Sequence, residues 1–163
     1  MFTLRKALES DKERIEELFT EMLKSIYGVE APGGYESGYP DRFFGGGDDC
    51  IYVAESGGAV LGYISVEVHD EEEKFLYLDD LSVSERFRGC GIGSALIKRA
   101  EEYAAEINAM YTALHAESSN SPAIRLYERL GYKKFRNDGN RIFMRRDTAE
   151  NTKRSNDNDN YVS

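Results

Sequence analysis

The segment of this sequence best equipped for chemistry is a run rich in glycine and arginine near the middle of the chain. It reads R-F-R-G-C-G-I-G-S and covers residues 86–94. Glycine lets backbone N–H groups converge on one point without interference from a Cβ atom. A helix predicted to begin near Ile92 adds free N–H groups and the positive end of a helix dipole. The combination predicts an anion site, most naturally for a phosphate or a pyrophosphate.

Two familiar nucleotide-binding patterns do not fit this turn. The G-x-G-x-x-G pattern of dinucleotide-binding folds fails, because Leu96 stands where a third glycine would follow Gly91 and Gly93. The G-K-S/T ending of a Walker loop is missing as well. On the glycines alone, a strand-to-helix turn that binds no ligand is an equal alternative.

Two motifs together give the chain a family likeness. Arg86, Gly89 and Gly91 occupy the fixed positions of R/Q-x-x-G-x-G/A, and the turn thereby resembles that of the GNAT superfamily of N-acetyltransferases. The run N-S-P-A-I-R-L-Y-E-R-L-G-Y at 120–132 is similar to the N-x-x-A-x-x-L-Y-E-x-L-G-F pattern that follows the fifth strand in that superfamily. The resemblance covers about residues 2–146.

This resemblance implies that acetyl-CoA is the co-substrate. Backbone N–H groups of the turn would hold the pyrophosphate of coenzyme A. The backbones of Leu81 and Val83 would bind the pantetheine arm, which Asn120 would also contact. The implicated residues of the turn itself are Arg86, Arg88, Gly89, Cys90, Gly91, Ile92, Gly93 and Ser94.

The resemblance also assigns a proton donor for the transfer step. Members of the superfamily move the acetyl group directly to an amine, and the departing thiolate must be protonated. Tyr127 matches the tyrosine of the family motif that acts as this general acid. The alternative is a core aromatic, since Ile124, Tyr127 and Leu130 lie near one face of a predicted helix.

A general base is also needed, because a free alkylamine with a pKa near ~10.4 is mostly protonated at neutral pH. Asp79 and Asp80 resemble the paired acidic residues of spermidine/spermine acetyltransferases, although they point to opposite faces of a regular strand. His115 is the rival, at the place where ribosomal-protein N-terminal acetyltransferases carry a glutamate. A solvated strand end and a histidine paired within the sheet are the structural alternatives.

The acceptor site is expected to include residues 35–44, which belong to the long segment 27–49 that is rich in glycine, proline and aromatic residues. Segments between the first helix and the second strand line the acceptor side in folds of this kind. The candidate apolar or cation–π walls are Tyr35, Tyr39, Phe43 and Phe44. The segment is predicted to be a long loop with one short helix, and the alternative to a functional role is a plain surface loop.

Hydrophobic periodicity predicts the elements that must position these residues. Strands are expected at 2–8, 50–55, 60–68, 75–83, 111–116, 132–136 and 141–146. Helices are expected from near Asp11, where Ser10 and Glu13 have capping-box spacing, at 92–107, and at 121–130 with Ser121 as its cap. The order β-α-β-β-β-α-β-α-β-β predicts an α/β (α+β) fold with a mixed and mostly antiparallel sheet. The resemblance to the GNAT superfamily implies that the fourth and fifth strands of this sheet splay apart.

Composition limits the function classes. The formal net charge of −9 argues against nucleic acid as a partner and is compatible with a cationic acceptor. Two cysteines outside any C-x-x-C pair and two histidines predict no metal site. With neither a signal-type run nor a membrane-length apolar stretch, we expect no membrane association and a cytoplasmic location. Residues 1–146 are expected to form one domain, followed by a polar, disordered tail at 147–163.

Together these features predict an N-acetyltransferase that acts on an amine of a small molecule or peptide. The alternative from another class is a regulatory module that binds acyl-CoA without catalysis. Homodimers are common in this superfamily, but no residue of this sequence demonstrates one.

Overall fold

The computed structural model describes residues 1–28 and 39–148 of the 163-residue chain. Its seven strands are β1 Thr3–Lys6, β2 Cys50–Ser56, β3 Ala59–His69, β4 Phe75–Val83, β5 Tyr111–Glu117, β6 Lys133–Asp138 and β7 Arg141–Asp147. Its three α-helices are α1 Lys12–Tyr27, α2 Ile92–Glu106 and α3 Ser121–Arg129. Short 3₁₀ turns lie at Glu9–Asp11, Tyr39–Phe44 and Glu85–Phe87. The predicted order of strands and helices is confirmed.

The strands form one sheet in the order β1-β2-β3-β4-β5-β7-β6. The pairs β1–β2, β2–β3, β5–β7 and β6–β7 are antiparallel, whereas β4 and β5 are parallel. The parallel ladder joins only Phe75–Tyr77 to residues 111–113, although both strands continue beyond it. The mixed sheet with splayed fourth and fifth strands is therefore as predicted.

The backbone contacts separate the chain into two compact units. Unit 1 comprises Met1–Glu67 and Leu78–Ala100. Unit 2 comprises Val68–Tyr77 and the chain from Glu101 onward. Because the division falls inside β3, β4 and α2, the units are not consecutive stretches of sequence.

Unit 1 is built around the buried face of α1. Ile15 and Leu18 are fully buried and belong to a core cluster completed by Phe43, Ile51, Val53, Val60 and Tyr63. The Ser82 hydroxyl of β4 donates a hydrogen bond to the Leu18 carbonyl at 2.8 Å. Gly62 is required in β3, since a Cβ there would lie 2.9 Å from the Ser82 carbonyl oxygen.

The starts of two helices differ from the predicted caps. α1 begins at Lys12, and the Asp11 carboxylate accepts a hydrogen bond from the Leu8 amide at 2.7 Å. The cap of α3 is Asn120, whose Oδ1 accepts from the Ala123 amide at 3.3 Å. Ser121 is instead the first helical residue. At α3 an amide side chain thus takes the role expected of a serine, whereas the Asp11 side chain makes no capping hydrogen bond to α1.

Unit 2 has its own core, in which Tyr132 and Met144 are buried. The Tyr132 and Thr112 hydroxyls are 2.9 Å apart and share a hydrogen bond. The last strand runs through Asp147, and the buried Thr148 donates its amide to the Met110 carbonyl at 3.1 Å. The fold thus continues slightly past the predicted boundary at residue 146, while residues 149–163 of the predicted tail lie outside the described residues. Within the described ranges, no helix is long and apolar enough to cross a membrane.

Candidate functional site

The glycine-rich turn lies in unit 1, between the end of β4 and the first turn of α2. Gly89 and Gly91 have φ angles of +76° and +84°, in the left-handed region that a Cβ disfavours. The Ala95 amide donates to the Gly91 carbonyl at 3.0 Å, which closes the first turn of α2. The amides of residues 92–94 consequently have no acceptor within the helix.

The surroundings of this turn fit a pyrophosphate group. Gly89, Cys90 and Gly91 are exposed, and a Cβ added to either glycine would meet no atom within 4 Å. A bulky anion can therefore approach the backbone amides closely. The open space and the free helix amides together match the donor set that a phosphate ester requires.

The two arginines of the turn differ in their roles. Arg86 is exposed, and its guanidinium lies 5.9 Å from the centre of the Phe87 ring. Arg88 turns back instead: its Nε donates to the Val83 carbonyl at 3.1 Å and its Nη1 to the Ser25 hydroxyl at 3.3 Å. Arg88 thus braces the turn against β4 and α1.

The β4 residues predicted to bind the pantetheine arm lie directly beneath α2. Leu81 and Val83 are half-buried, and each side chain would lie 3.9 Å from a Cβ added to Gly93. Ser82 points the other way, toward α1. Asp79 and Asp80 are half-buried on the same strand, and the Asp80 amide donates to the Ser65 hydroxyl at 3.0 Å.

A chain of three hydrogen-bonded side chains is the main feature of unit 2. The Tyr77 hydroxyl lies 2.6 Å from His115 Nδ1, and His115 Nε2 lies 2.8 Å from an Asp138 carboxylate oxygen. The Arg136 Nε donates to the same carboxylate at 2.9 and 3.1 Å. Tyr77 comes from β4, His115 from β5 and Asp138 from the end of β6, so three strands supply the chain.

This arrangement fixes how the imidazole uses its two nitrogens. A carboxylate only accepts hydrogen bonds, so His115 Nε2 must carry a hydrogen and donate it in the hydrogen bond to Asp138. Nδ1 of the neutral ring is then the acceptor for the Tyr77 hydroxyl. Arg136, and after it His115, lowers the pKa of the Asp138 carboxyl below its usual value, which keeps this group ionised.

The residues of the second motif lie in and beside α3. Tyr127 is half-buried and packs edge-on against Tyr132, with ring centres 6.2 Å apart. Burial raises the pKa of the Tyr127 hydroxyl, so the phenol keeps its proton at neutral pH. Asn120 is exposed and uses its carbonyl oxygen as the helix cap.

Around His115, side chains of unit 2 form a layer of stacked and edge-to-face rings that we call the aromatic face. It consists of His69, Phe75, Tyr77, Tyr111, His115, Phe135 and Phe143. Two arginines join it: Arg145 lies 4.5 Å from the Tyr111 ring centre and 4.6 Å from that of Phe135, and Arg136 lies 4.3 Å from that of Phe143. Aromatic rings and cations thus alternate next to the His115 chain.

The four aromatic residues predicted to line the acceptor site differ in where they lie. Phe43 is only 6% exposed and is part of the unit 1 core, so the expectation that it faces a ligand is wrong. Phe44 is half-buried, with Lys12 Nζ 4.9 Å from its ring centre. Tyr39 begins a 3₁₀ turn, and Tyr35 lies outside the described residues. Phe43 was misassigned because an aromatic residue in an irregular segment has no periodicity that reveals its burial.

Sequence reasoning missed Tyr77 and Asp138. Tyr77 stands in a strand predicted correctly, but only the pairing of β4 with β5 places it beside His115. Asp138 belongs to the N-D-G-N run that predicts a hairpin turn, a pattern that says nothing about histidine contacts. Within the described residues, no cluster of three or more His, Cys, Asp or Glu side chains is placed to hold a metal ion.

Known proteins with similar sequences are acetyltransferases. The sequence pattern of the acetyltransferase (GNAT) family matches residues 17–132. An uncharacterised N-acetyltransferase of Methanocaldococcus jannaschii is 35% identical over 131 residues, which are 80% of this chain and 77% of that protein. An N-alpha-acetyltransferase of Sulfurisphaera tokodaii is 35% identical over 94 residues, which are 52% of this chain and only 56% of that protein.

Solved structures of acetyltransferases share this fold. The structure of the PaiA N-acetyltransferase from Thermoplasma acidophilum in complex with coenzyme A has a TM-score of 0.76 at 20% identity, covering 90% of this chain and 99% of that chain. At this identity the likeness establishes the fold alone. The family match, by contrast, includes both the glycine-rich turn and the second motif. The chain therefore belongs to the GNAT family of acetyltransferases, the acetyl-CoA-dependent family that its glycine-rich turn resembles.

Proposed function

We propose that the protein transfers the acetyl group of acetyl-CoA to a primary amine of a small molecule or peptide by direct attack. The observation that carries this proposal is the hydrogen-bonded chain of Tyr77, His115 and Asp138, at 2.6 and 2.8 Å. It supplies a proton acceptor of the kind that an amine nucleophile needs. Family membership supplies the acyl donor.

His115, acting through Tyr77, is the base in this proposal. The Tyr77 hydroxyl hands its proton to His115 Nδ1 as it takes one from the amine. Asp138 acts as a positioning residue, because its contact with Nε2 selects the tautomer and stabilises the ring once it is protonated. Among the three candidate bases, this bonding favours His115 over Asp79 and Asp80.

Tyr127 is the general acid in this proposal. A tyrosine hydroxyl, with an ordinary pKa of ~10, is protonated at neutral pH, and burial raises the pKa of Tyr127 further. Tyr127 also stands at the tyrosine position of the family motif. A phenol is a suitable proton donor to a thiolate, whose conjugate acid has a somewhat lower pKa near ~8.5. A role as a packing residue alone would leave this hydroxyl without a function.

The proton and bond changes of the reaction balance without any further reactant. The deprotonated amine attacks the thioester carbonyl carbon, and the resulting oxyanion is stabilised by a backbone N–H, which we place near Leu81 of β4. The C–S bond then breaks, and the thiolate receives a proton from Tyr127. The proton lost by the ammonium group passes through the His115 chain to solvent. After the attack the nitrogen loses a second proton, which replaces the one that Tyr127 gave to the thiolate.

The acyl donor is held, we propose, by the glycine-rich turn. The open amides of residues 89–94 bind the pyrophosphate, and the backbones of Leu81 and Val83 bind the pantetheine arm, with Asn120 beside it. The coenzyme A complex of the PaiA N-acetyltransferase supports this choice of ligand. The Sulfurisphaera N-alpha-acetyltransferase supports an amine acceptor.

A module that only senses acyl-CoA is the second candidate. It would require the turn but neither a preserved general acid nor a hydrogen-bonded histidine. The His115 chain therefore favours the enzyme.

The decisive experiment measures release of free coenzyme A thiol from acetyl-CoA with a panel of polyamines, aminoglycosides, amino acids and peptides. We expect acetyl-CoA to raise the melting temperature and at least one acceptor to release thiol above the acceptor-free rate. A clear melting shift without thiol release from any acceptor would support the sensor. No shift with acetyl-CoA would contradict both functions.

A further inference from the structure

The hairpin β6–β7 is a basic element in an acidic protein. Residues 133–147 carry six Lys or Arg side chains and two Asp side chains, whereas the whole chain has a formal net charge of −9. If charge were spread evenly along the chain, this segment would have a negative net charge. The hairpin instead has a positive net charge. It lies next to His115, because Asp138 of the hairpin is hydrogen-bonded to that ring.

A β-bulge in this hairpin turns one cation toward His115. Lys134 pairs with Met144 and Arg136 pairs with Phe143, so Phe135 is the extra residue. Such a bulge re-aims the side chains beside it. Arg136 accordingly lies over the Phe143 ring, 4.3 Å from its centre, and the same ring lies 5.1 Å from the centre of His115.

Arg136 is preorganised and still has donors to offer. Its Nε is bound to Asp138, and its planar group rests on Phe143. Its side chain is 53% exposed, and its two terminal nitrogens make no hydrogen bond to any residue in the described ranges. A guanidinium held in this way loses little entropy when two N–H groups bind a carboxylate.

A second cation extends the same surface. Arg145 is held between Tyr111 and Phe135, and its side chain is 30% exposed. Its contact with Asp147 is long, at 3.8 Å, which leaves the guanidinium able to attract another anion. The aromatic face therefore presents two stacked cations next to the candidate base.

From this juxtaposition we infer that the acceptor carries a carboxylate close to its amino group and that Arg136 binds it, with Arg145 adding attraction. The inference rests on the proposed function and names the substrate class of that site. The carboxylate is either the α-carboxylate of a free amino acid or an acidic side chain near a peptide N-terminus. Polyamines and aminoglycosides are disfavoured, because their extra positive charges would face Arg136 and Arg145.

The test compares acceptors that differ only in the carboxylate. Alanine is paired with alaninamide, tetrapeptides beginning Ala-Glu are paired with those beginning Ala-Gln, and spermidine represents the polyamines. The measurement is the KM for each acceptor at saturating acetyl-CoA. We expect the carboxylate member of at least one pair to have a KM lower by ~10-fold or more, as a charge-assisted hydrogen bond allows. The pair that shows the difference identifies the source of the carboxylate.

Two variants that each remove one positive charge, Arg136→Gln and Lys134→Gln, separate binding of the acceptor carboxylate from a general effect of charge on the hairpin. Arg136→Gln should abolish the ratio of KM values within the pair, and Arg136→Lys should restore part of it. Lys134→Gln removes the same charge from the same strand, but Lys134 pairs with Met144 and lies toward Glu128 of α3, so this control should keep the ratio. Any disturbance of Asp138 would lower kcat for both members of a pair alike, so the ratio reports the carboxylate contact itself.

The failures of the two proposals are distinguishable. Thiol release with equal KM values within both pairs, an unchanged ratio in Arg136→Gln, or spermidine as the best acceptor would overturn the carboxylate inference and leave the acetyltransferase standing. Thiol release from no acceptor would contradict the proposed function, and the inference with it.

Discussion

The glycine-rich turn and the aromatic face are built on opposite principles. The turn depends on backbone: two left-handed glycines and the first amides of α2 form it, and neighbouring residues in sequence supply all of these groups. The aromatic face depends on side chains from β3, β4, β5, β6 and β7. No two rings in contact belong to neighbouring residues of the sequence. The turn that we assign to the acyl donor therefore has a local sequence signature, whereas the surface we assign to the acceptor does not.

This contrast leads to different kinetic expectations for the two regions. Changes in the turn should weaken acetyl-CoA binding. Changes around His115 should lower turnover while acetyl-CoA still binds. Changes in Arg136 should alter acceptor choice.

The largest effect is expected at Tyr127, the proposed general acid. Tyr127→Phe removes one oxygen atom and should lower kcat by ~10²–10⁴-fold, because the thiolate must then leave without a proton donor. The affinity for acetyl-CoA, measured by calorimetry, should change little. Wild-type turnover in this variant would remove Tyr127 from the mechanism and reduce it to a packing residue.

His115→Gln should lower kcat by ~10²–10³-fold, because glutamine cannot take up the proton passed on by Tyr77. The measurement is steady-state turnover, together with the melting shift produced by acetyl-CoA. That shift should equal the wild-type shift if the aromatic face serves the acceptor side. A weakened shift with normal turnover would break the contrast between the two regions.

Asp138→Asn should lower kcat by ~10-fold, because a neutral amide no longer favours the Nε2–H tautomer or stabilises the protonated ring. The folded-state pKa of Asp138 is lowered by Arg136 and then by His115. Its contribution to stability is therefore present above the unfolded pKa of ~3.9 and is lost as the pH falls through the lower folded pKa.

Thermal melts over a range of pH test whether the stability contributed by Asp138 is lost as the pH falls. Wild type should melt above Asp138→Asn at neutral pH, and the two curves should converge under strongly acidic conditions. A difference between them that grows as the pH falls would contradict the assignment of Asp138 as an ionised partner.

The smallest effect is expected in the turn, where two neighbouring glycines form a matched pair. Gly91→Ala forces a Cβ into a φ of +84° and should cost about 1 kcal/mol of stability, with weaker acetyl-CoA binding. Gly93→Ala lies in α2, and its Cβ would make ordinary contacts at 3.9 Å, so it should not destabilise the fold. Denaturant titration compares the two, and equal destabilisation would mean that backbone conformation is not what the turn requires of Gly91.

Much of the fold could be predicted from sequence because its signals are local. Alternating apolar residues mark β4 as predicted at 75–83, and Gly131 ends α3 near the expected residue, with a φ of +96°. The cap of α3 was less accurate, since Asn120 and Ser121 are adjacent residues that both favour the capping position and the sequence does not rank them. Phe43 was placed wrongly because burial in an irregular segment depends on what packs against it.

What the sequence alone determined is the donor side: the spacing of Arg86, Gly89 and Gly91 and the second motif indicate an acetyl-CoA-dependent family, because a pyrophosphate is bound by consecutive backbone groups. Tertiary structure alone decided that His115 stands between Tyr77 and Asp138 and that Arg136 rests on Phe143. These contacts depend on the register of three strand pairs and on one bulge. The pairs β4–β5 and β5–β7 join residues far apart in sequence, so no local pattern encodes them. The N-D-G-N run predicts the β6–β7 hairpin but not the bulge at Phe135 that places Arg136.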